Sequence, residues 1–221
     1  MILNILLIIC GYLLGSIPSA VWIGKRFYGI DVREHGSKNA GATNTLRVLG
    51  RRAAAPVFAI DILKGFVAVK LYHISTFSTD SNELFILQVI LAAAAVLGHI
   101  FPVFAKFKGG KGVATIAGAL LAIYTLPLLS SLGVFAIVFF ISNYVSLGSI
   151  TAAISFPLFL IFVFKYNSTA AIIVGCFAAA LLLFTHRKNI KRLINGTEGK
   201  VNPFKKSPKK EEIEEEIKSK E

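Results

Sequence analysis

The feature that most constrains this chain is a run of 53 residues, Gly112 to Phe164, that contains no Asp, Glu, Lys or Arg. As one continuous helix the run would reach ~80 Å, against ~30 Å for the hydrocarbon core of a bilayer. It must therefore fold back on itself in an apolar medium, as two crossings or as three. Four further apolar stretches accompany it: Ile2–Gly24, Ala53–Ile74 (interrupted by Asp61, Lys64 and Lys70), Leu84–Ala105 and Ser168–Thr185. Charged residues make up 16% of the chain, where soluble domains carry about 25%.

The distribution of positive charge chooses between two crossings and three. Seven Lys or Arg lie between Gly24 and Arg52, Lys106, Lys108 and Lys111 form a second cluster, and eleven more follow Thr185. Such clusters stay on the cytoplasmic side of a membrane. The first and last agree only if the long run crosses three times, with breaks at Tyr124–Pro127–Ser130 and Tyr144–Gly148. The expected architecture is an all-α integral membrane protein of seven transmembrane helices, amino terminus out and carboxyl terminus in, with several short spans and polar cytoplasmic loops. Residues 1–199 form the membrane domain. Residues 200–221 read as a charged tail, disordered or a short helix of paired Glu and Lys. Ile2–Gly24 reads as a retained span, since no positive charge precedes it and it is long for a cleaved signal.

The net charge of +12 would suggest nucleic acid on a soluble face, but here the cations sit between apolar runs, and no nucleic-acid partner is expected. Cys10 and Cys176 lie within apolar runs as small hydrophobes. No metal-ligand motif is present, so neither metal nor cofactor is expected.

Three polar loops fall on the predicted cytoplasmic face. In "HGSKNAGATNTLR", His35 to Arg47, either Ser37 or Thr43 would cap a helix whose first turn carries Asn44 and which ends at Arg47. In "FKGGKGVAT", Phe107 to Thr115, glycines and lysines precede an apolar run. Two roles fit this loop: an anion nest at a helix start, or a positive turn that anchors two helices. It is not a Walker loop, because Ala105 replaces the first glycine and Gly112 follows the lysine. In "THRKNIKRLINGTEG", Thr185 to Gly199, His186, Asn189 and Arg192 recur every third residue on one helix face. The alternative there is a basic juxtamembrane helix on lipid headgroups. Within the second span, Asp61 and Lys64 stand three apart and partly neutralise one another.

Taken together and in order, "GSKNAGATNTLR", "DILKG", "GHIFPVFAKFKGGKGVAT" and "HRKNIKRLINGTE" closely resemble the bacterial acyl-phosphate:glycerol-3-phosphate acyltransferases of the PlsY type, from about Leu14 to Glu198. The resemblance implies transfer of a fatty acyl group from acyl phosphate to the first-carbon hydroxyl of glycerol 3-phosphate. The products are lysophosphatidic acid and inorganic phosphate, and the reaction is the first step of phospholipid synthesis at the bacterial inner membrane. It implies catalytic roles for Ser37, Arg47, His186, Asn189 and Glu198. Phosphate binding falls to Thr43, Asn44, Lys64, Lys108, Gly109, Gly110, Lys111, Gly112 and Thr115. The implied partners are acyl phosphate, glycerol 3-phosphate, membrane lipid and the enzyme that makes acyl phosphate. These motifs set neither acyl-chain length nor oligomeric state. One departure, Lys38–Asn39–Ala40 where smaller residues are expected, removes no functional position.

The rival reading is a carrier of phosphate or a small organic anion, whose charges would lie near the midplane on broken helices. A thioester-dependent acyltransferase is disfavoured because no His is followed five residues later by Asp. His186, His99, Asp61 and Glu198 remain as bases for the attacking hydroxyl. The expected proton acceptor is instead the departing phosphate, with His186 donating a hydrogen bond to a substrate.

Overall fold

A computed structural model of the chain describes residues 2–77 and 81–201, so the expected tail, except for Lys200 and Val201, lies outside the described residues. Among the described residues there is no strand. Ten α-helices follow in order: α1 (Ile2–Gly15), α2 (Ser19–Tyr28), α3 (Ala42–Leu49), α4 (Arg51–Lys70), α5 (Asn82–Ile100), α6 (Val113–Ile123), α7 (Thr125–Ser142), α8 (Val145–Leu158), α9 (Thr169–Thr185) and α10 (Arg187–Ile194). Short 3₁₀ turns extend α4 (Leu71–Ile74) and follow α5 (Val103–Ala105), and a π-helical segment, Phe159–Val163, continues α8.

Asn82–Ala105, Thr125–Ser142 and Val145–Val163 are long and apolar enough to cross a membrane, and the number rises to five if α1 with α2 and α9 with α10 each count as one bent span. The expected span Ile2–Gly24 is not one straight helix but two helices that meet at 40° and run on to Tyr28. Pro18 causes the break: it has no N–H to donate and disfavours a helical Ile17. The freed Ile17 carbonyl accepts from the Ser19 N–H at 3.1 Å and the Lys64 ammonium at 2.8 Å. The 53-residue run divides at Tyr124 and at Asn143–Tyr144 into α6, α7 and α8 with its π segment, within or beside the two expected breaks. Asn143 adopts a left-handed φ of 60° and closes α7.

Two helix pairs approach backbone to backbone. α4 packs on α6, where a Cβ on Gly118 would stand 1.9 Å from the Ile62 carbonyl oxygen and one on Gly65 2.2 Å from that of Thr115. α1 packs on α5 in the same manner through Gly15 and Gly98. Membrane helices rely on small residues for such contacts because water supplies no hydrophobic drive between them. The contact matters because α6 begins at the glycine loop and therefore sets its position. Gly118→Ala should lower stability by about 2–3 kcal/mol or more through overpacking, whereas Gly133→Ala, with nothing within 4 Å of the new Cβ, should be neutral. Thermal unfolding of the two purified variants in detergent checks the contrast.

Candidate functional site

The three polar loops converge on the mouth of one cavity of ≈ 510 Å³, enclosed by α3, α4, α5, α6, α7, α8, α9 and α10. Its mouth carries Ser37, Thr43, Arg47, Lys111, His186, Asn189 and Glu198, and the rest of its lining, mostly apolar side chains from α6 to α9, also includes Asp61, His99, Ser131 and Ser149.

Glu198 ties the mouth together. Its carboxylate is buried and accepts four hydrogen bonds, from Arg192 Nε at 2.6 Å, Asn189 Nδ2 at 2.8 Å, Ser146 Oγ at 3.0 Å and Arg47 Nη2 at 3.3 Å. One short segment thereby joins α3, α8 and α10. Its path is fixed by Thr197 N–H donating to Arg192 O and Val201 N–H donating to Asn143 O. Burial raises the carboxyl pKa, but the bonds from Arg192, Asn189 and Ser146 outweigh it and hold the group below its ordinary range. Asn189 relays the network inward: its amide oxygen accepts from Lys111 Nζ while its nitrogen donates to Glu198. Burial, with the nearby Arg192 and Arg47 charges, lowers Lys111 to about 8, against a partial pull upward from Glu198.

His186 stands between α9 and α10, buried in the cavity wall. Its Nδ1 lies 2.9 Å from the Leu182 carbonyl oxygen. A carbonyl only accepts, so Nδ1 carries the proton and, in the neutral ring, Nε2 is an acceptor. Burial and the Lys111 charge lower His186 to about 4, outweighing that carbonyl bond and Glu198, so the ring is neutral at pH 7. The expected donor role of His186 is thus corrected: it offers a lone pair.

The glycine loop is held differently from the expected nest. Gly109 N–H donates to Ile100 O and Gly110 N–H to His99 O, each at 3.2 Å, so these two amides are already used. Their lack of side chains reflects close packing: a Cβ would stand 2.0 Å from His99 O at Gly109 and 2.3 Å from His99 Nε2 at Gly110. The amides that stay free begin one residue later. Among the described residues, the N–H groups of Lys111, Gly112, Val113, Ala114 and Thr115 donate to no protein acceptor. They surround the start of α6, where the helix dipole favours an anion.

Of four other expected phosphate ligands, Asn44 lines the cavity with its polar atoms already engaged, and Lys64, Thr115 and Lys108 lie outside it. Asn44 spends both acceptor positions on Ser37 N and Oγ, and both donors on Val32 O and His35 O, so it organises the first loop and has no donor left for a ligand. Lys64 is buried against Asp61 Oδ1 at 2.8 Å and Ile17 O, outside the cavity. Thr115 Oγ1 lies 3.2 Å from His99 Nδ1. Lys108 is exposed and lines no part of the cavity. Neither Ser37 nor Thr43 caps α3, whose N-cap is Gly41. Arg47, Lys111, Gly112, Thr43 and Ser37 do line the mouth, as do His186, Asn189 and Glu198.

Sequence reasoning did not nominate Ser146 or Arg192. Arg192 shares the expected face with His186 and Asn189, and that periodicity was its signal. Ser146 follows the Asn143–Tyr144 break, and only the fold brings it to Glu198. Among the described residues no His, Cys, Asp and Glu side chains cluster as a metal site.

The lowered Lys111 predicts a pH dependence for anion binding. The ammonium is charged below about pH 8 and loses its proton as pH rises through that value. Affinity for sulfate, whose charge stays constant over this range, should fall about ten-fold between pH 7 and 9, the worth of one charge-assisted bond. Lys111→Arg should remove the dependence. Calorimetric titration at several pH values measures both.

A family model described as glycerol-3-phosphate acyltransferase matches residues 5–196. A protein of that name from Fusobacterium nucleatum subsp. nucleatum is 46% identical over 193 residues, spanning 87% of this chain and 95% of its own. Another from Chlorobaculum tepidum is 43% identical over 223 residues, spanning 89% and 95%. Among solved structures, the glycerol 3-phosphate form of PlsY, an integral membrane glycerol 3-phosphate acyltransferase, is similar with a TM-score of 0.78 and 41% identity, covering 90% of this chain and 96% of that one. The crystal structure of its lysophosphatidic acid form gives a TM-score of 0.75 and 39% identity, covering 95% and 97%.

Proposed function

The chain belongs to the glycerol-3-phosphate acyltransferase family, and from that premise we propose that its cavity moves a fatty acyl group from acyl phosphate to the first-carbon hydroxyl of glycerol 3-phosphate. Lysophosphatidic acid and inorganic phosphate are the products. One observation carries this reading: Arg47, Lys111, Arg192 and the free amides of α6 gather at the mouth of a shaft whose depth is mostly apolar. A phosphate belongs at such a mouth and an alkyl chain in such a shaft. The carrier reading fits less well, because the cations sit at one end while Tyr124, Leu160 and Ala171 are buried together beyond the other.

In this mechanism the hydroxyl oxygen attacks the acyl carbon, the new ester bond forms, and the bond from that carbon to the phosphate oxygen breaks. The hydroxyl proton goes to the departing phosphate, which gains charge as it leaves. His186 Nε2 accepts a hydrogen bond from the neighbouring second-carbon hydroxyl of glycerol 3-phosphate and so aims the nucleophile, whose own proton stays directed at the phosphate. Arg47 and Lys111 offset phosphate charge. Ser37 and Thr43 contribute hydroxyls at the same mouth.

The membrane arrangement follows the same proposal. The seven spans are α1 with α2, α4, α5, α6, α7, α8 with its π segment, and α9, with the amino terminus outside and the cavity mouth facing the cytoplasm of a bacterial inner membrane. Asp61, Lys64 and Lys70 make α4 poorly apolar, and α6 has only 11 residues, so neither passes on length and composition alone. The positive clusters support this orientation. The enzyme that makes acyl phosphate is the proposed protein partner.

Two measurements test these statements. In the assay of acyl phosphate plus glycerol 3-phosphate for lysophosphatidate, His186→Asn, which keeps an acceptor, should retain measurable turnover and the wild-type shape of its pH–rate profile. An ionisation near pH 4, the value to which burial lowers His186, that is present in the wild type and lost in this variant would make His186 the general base instead. In a background without Cys10 and Cys176, a reporter cysteine at Ser168 should label from outside intact cells, and one at Lys188 only after permeabilisation. The reverse pattern overturns the orientation.

A further inference from the structure

The depth of the cavity is bounded in a way the reaction itself does not require. From the mouth downward, α6 with its N-cap contributes Gly112 to Leu120, α8 contributes Ser146 to Phe156, and α9 with its C-cap contributes His186 back to Ala178. At 1.5 Å per residue each wall runs ~12–15 Å, about half of a ~30 Å hydrocarbon core. The lining stops at Leu120 on α6, Leu128 on α7, Phe156 on α8 and Ala178 on α9. There Leu120, Leu128 and Phe156 are buried against one another, backed by Tyr124 and Leu160, which do not line the cavity.

Phe156 is wedged into this floor. Its ring meets Tyr124 edge-on with centroids 5.9 Å apart, and Tyr124 meets Tyr166 the same way at 5.5 Å. On the far side the ring lies against Gly175 of α9, where a Cβ would stand 3.3 Å from Phe156 Cε1 and 2.5 Å from Leu160 Cδ1. The ring therefore cannot retreat toward α9 without backbone movement, and the edge-on contact with Tyr124 blocks retreat toward the α6–α7 junction.

We infer that Phe156, seated on Leu120 and Leu128, is the ruler that limits the length of the acyl chain the enzyme accepts. This rests on the acyltransferase reading of the cavity. Methylenes above the floor are buried and add about four-fold to affinity apiece. Methylenes beyond it find Phe156 in place.

The test compares kcat/KM across a series of saturated acyl phosphates of increasing even chain length, with glycerol 3-phosphate saturating. Phe156→Ala should move the optimum to longer donors, by about four-fold in the longer-to-shorter ratio for each extra methylene accommodated. Ala153→Phe, which fills the wall one turn above the floor, should move it to shorter donors with the KM for glycerol 3-phosphate unchanged. Phe162→Ala, on an exposed ring of the π segment outside the cavity, should leave the profile as in the wild type. If Phe156→Ala does not fold, Ala153→Phe alone decides. Profiles that superimpose on the wild type while lysophosphatidate is still produced overturn the ruler and leave the acyltransferase reading standing. A wild type that transfers no acyl group from any donor overturns both.

Discussion

The buried hub around Asp61 is the interaction on which the rest of the structure depends. Asp61 Oδ1 accepts from Ser19 Oγ and Lys64 Nζ, both at 2.8 Å, and lies 3.6 Å from His99 Nδ1. Lys64 reaches on to the Ile17 carbonyl freed by the Pro18 break, and His99 holds Thr115 at the start of α6. Four segments thus meet at one carboxylate: the α1–α2 break, α4, α5 and α6. Removing a single member would strand a buried charge, a loss of about 3–5 kcal/mol. Such a pair is weak as a source of net stability, and its value here is register. With α4, α5 and α6 fixed, the glycine loop has one place to lie, clamped by the His99 and Ile100 carbonyls.

Lys64 shows where sequence reasoning reached and where it stopped. An i,i+3 carboxylate–ammonium pair in an apolar span is legible, because an unpaired charge there is costly, and the pair is found as read. Its neighbourhood was not legible. A lysine near phosphate-binding motifs invites a phosphate role, but the decisive partner is a carbonyl 47 residues away, freed by a proline whose effect is on backbone hydrogen bonding. Asn44 has the same lesson. Amide-rich loops suggest ligand donors, yet whether an amide is spent internally depends on the path of the loop, here the turns that bring Val32, His35 and Ser37 to one side chain. Helix positions in the 53-residue run were recovered because charge asymmetry acts over whole segments and tolerates local error. The α1–α2 bend was missed because hydropathy is blind to a single proline.

The glycine loop separates two causes that share one sequence signature. Gly109 and Gly110 are glycines because a side chain would strike α5, while Gly112, at φ 78°, supplies the left-handed turn that starts α6. The amides that stay free lie downstream of the conspicuous pair, on residues of any type. The glycines that draw attention to the loop therefore serve mainly to seat it.

Charge balance at the mouth gives Glu198 its meaning. Arg47, Lys111 and Arg192 contribute three positive charges around Glu198, Lys38 and Lys188 add two more to the cavity lining, Asp61 is its second carboxylate, and His186 is neutral at pH 7, which leaves an excess of positive charge. Three cations without a counter-charge would splay toward water and have to be gathered again for each ligand. With Glu198 accepting from Arg47 and Arg192, and Asn189 linking it to Lys111, they are held together beforehand, so ordering them is not left to the binding step. That positive excess favours an anion such as a phosphate group, which carries ≈ −1.5 to −2 at pH 7. The free amides of α6 add dipolar attraction without adding a net charge. A further cation in place of those amides would push Lys111 still lower and cost the mouth one of the charges it already holds.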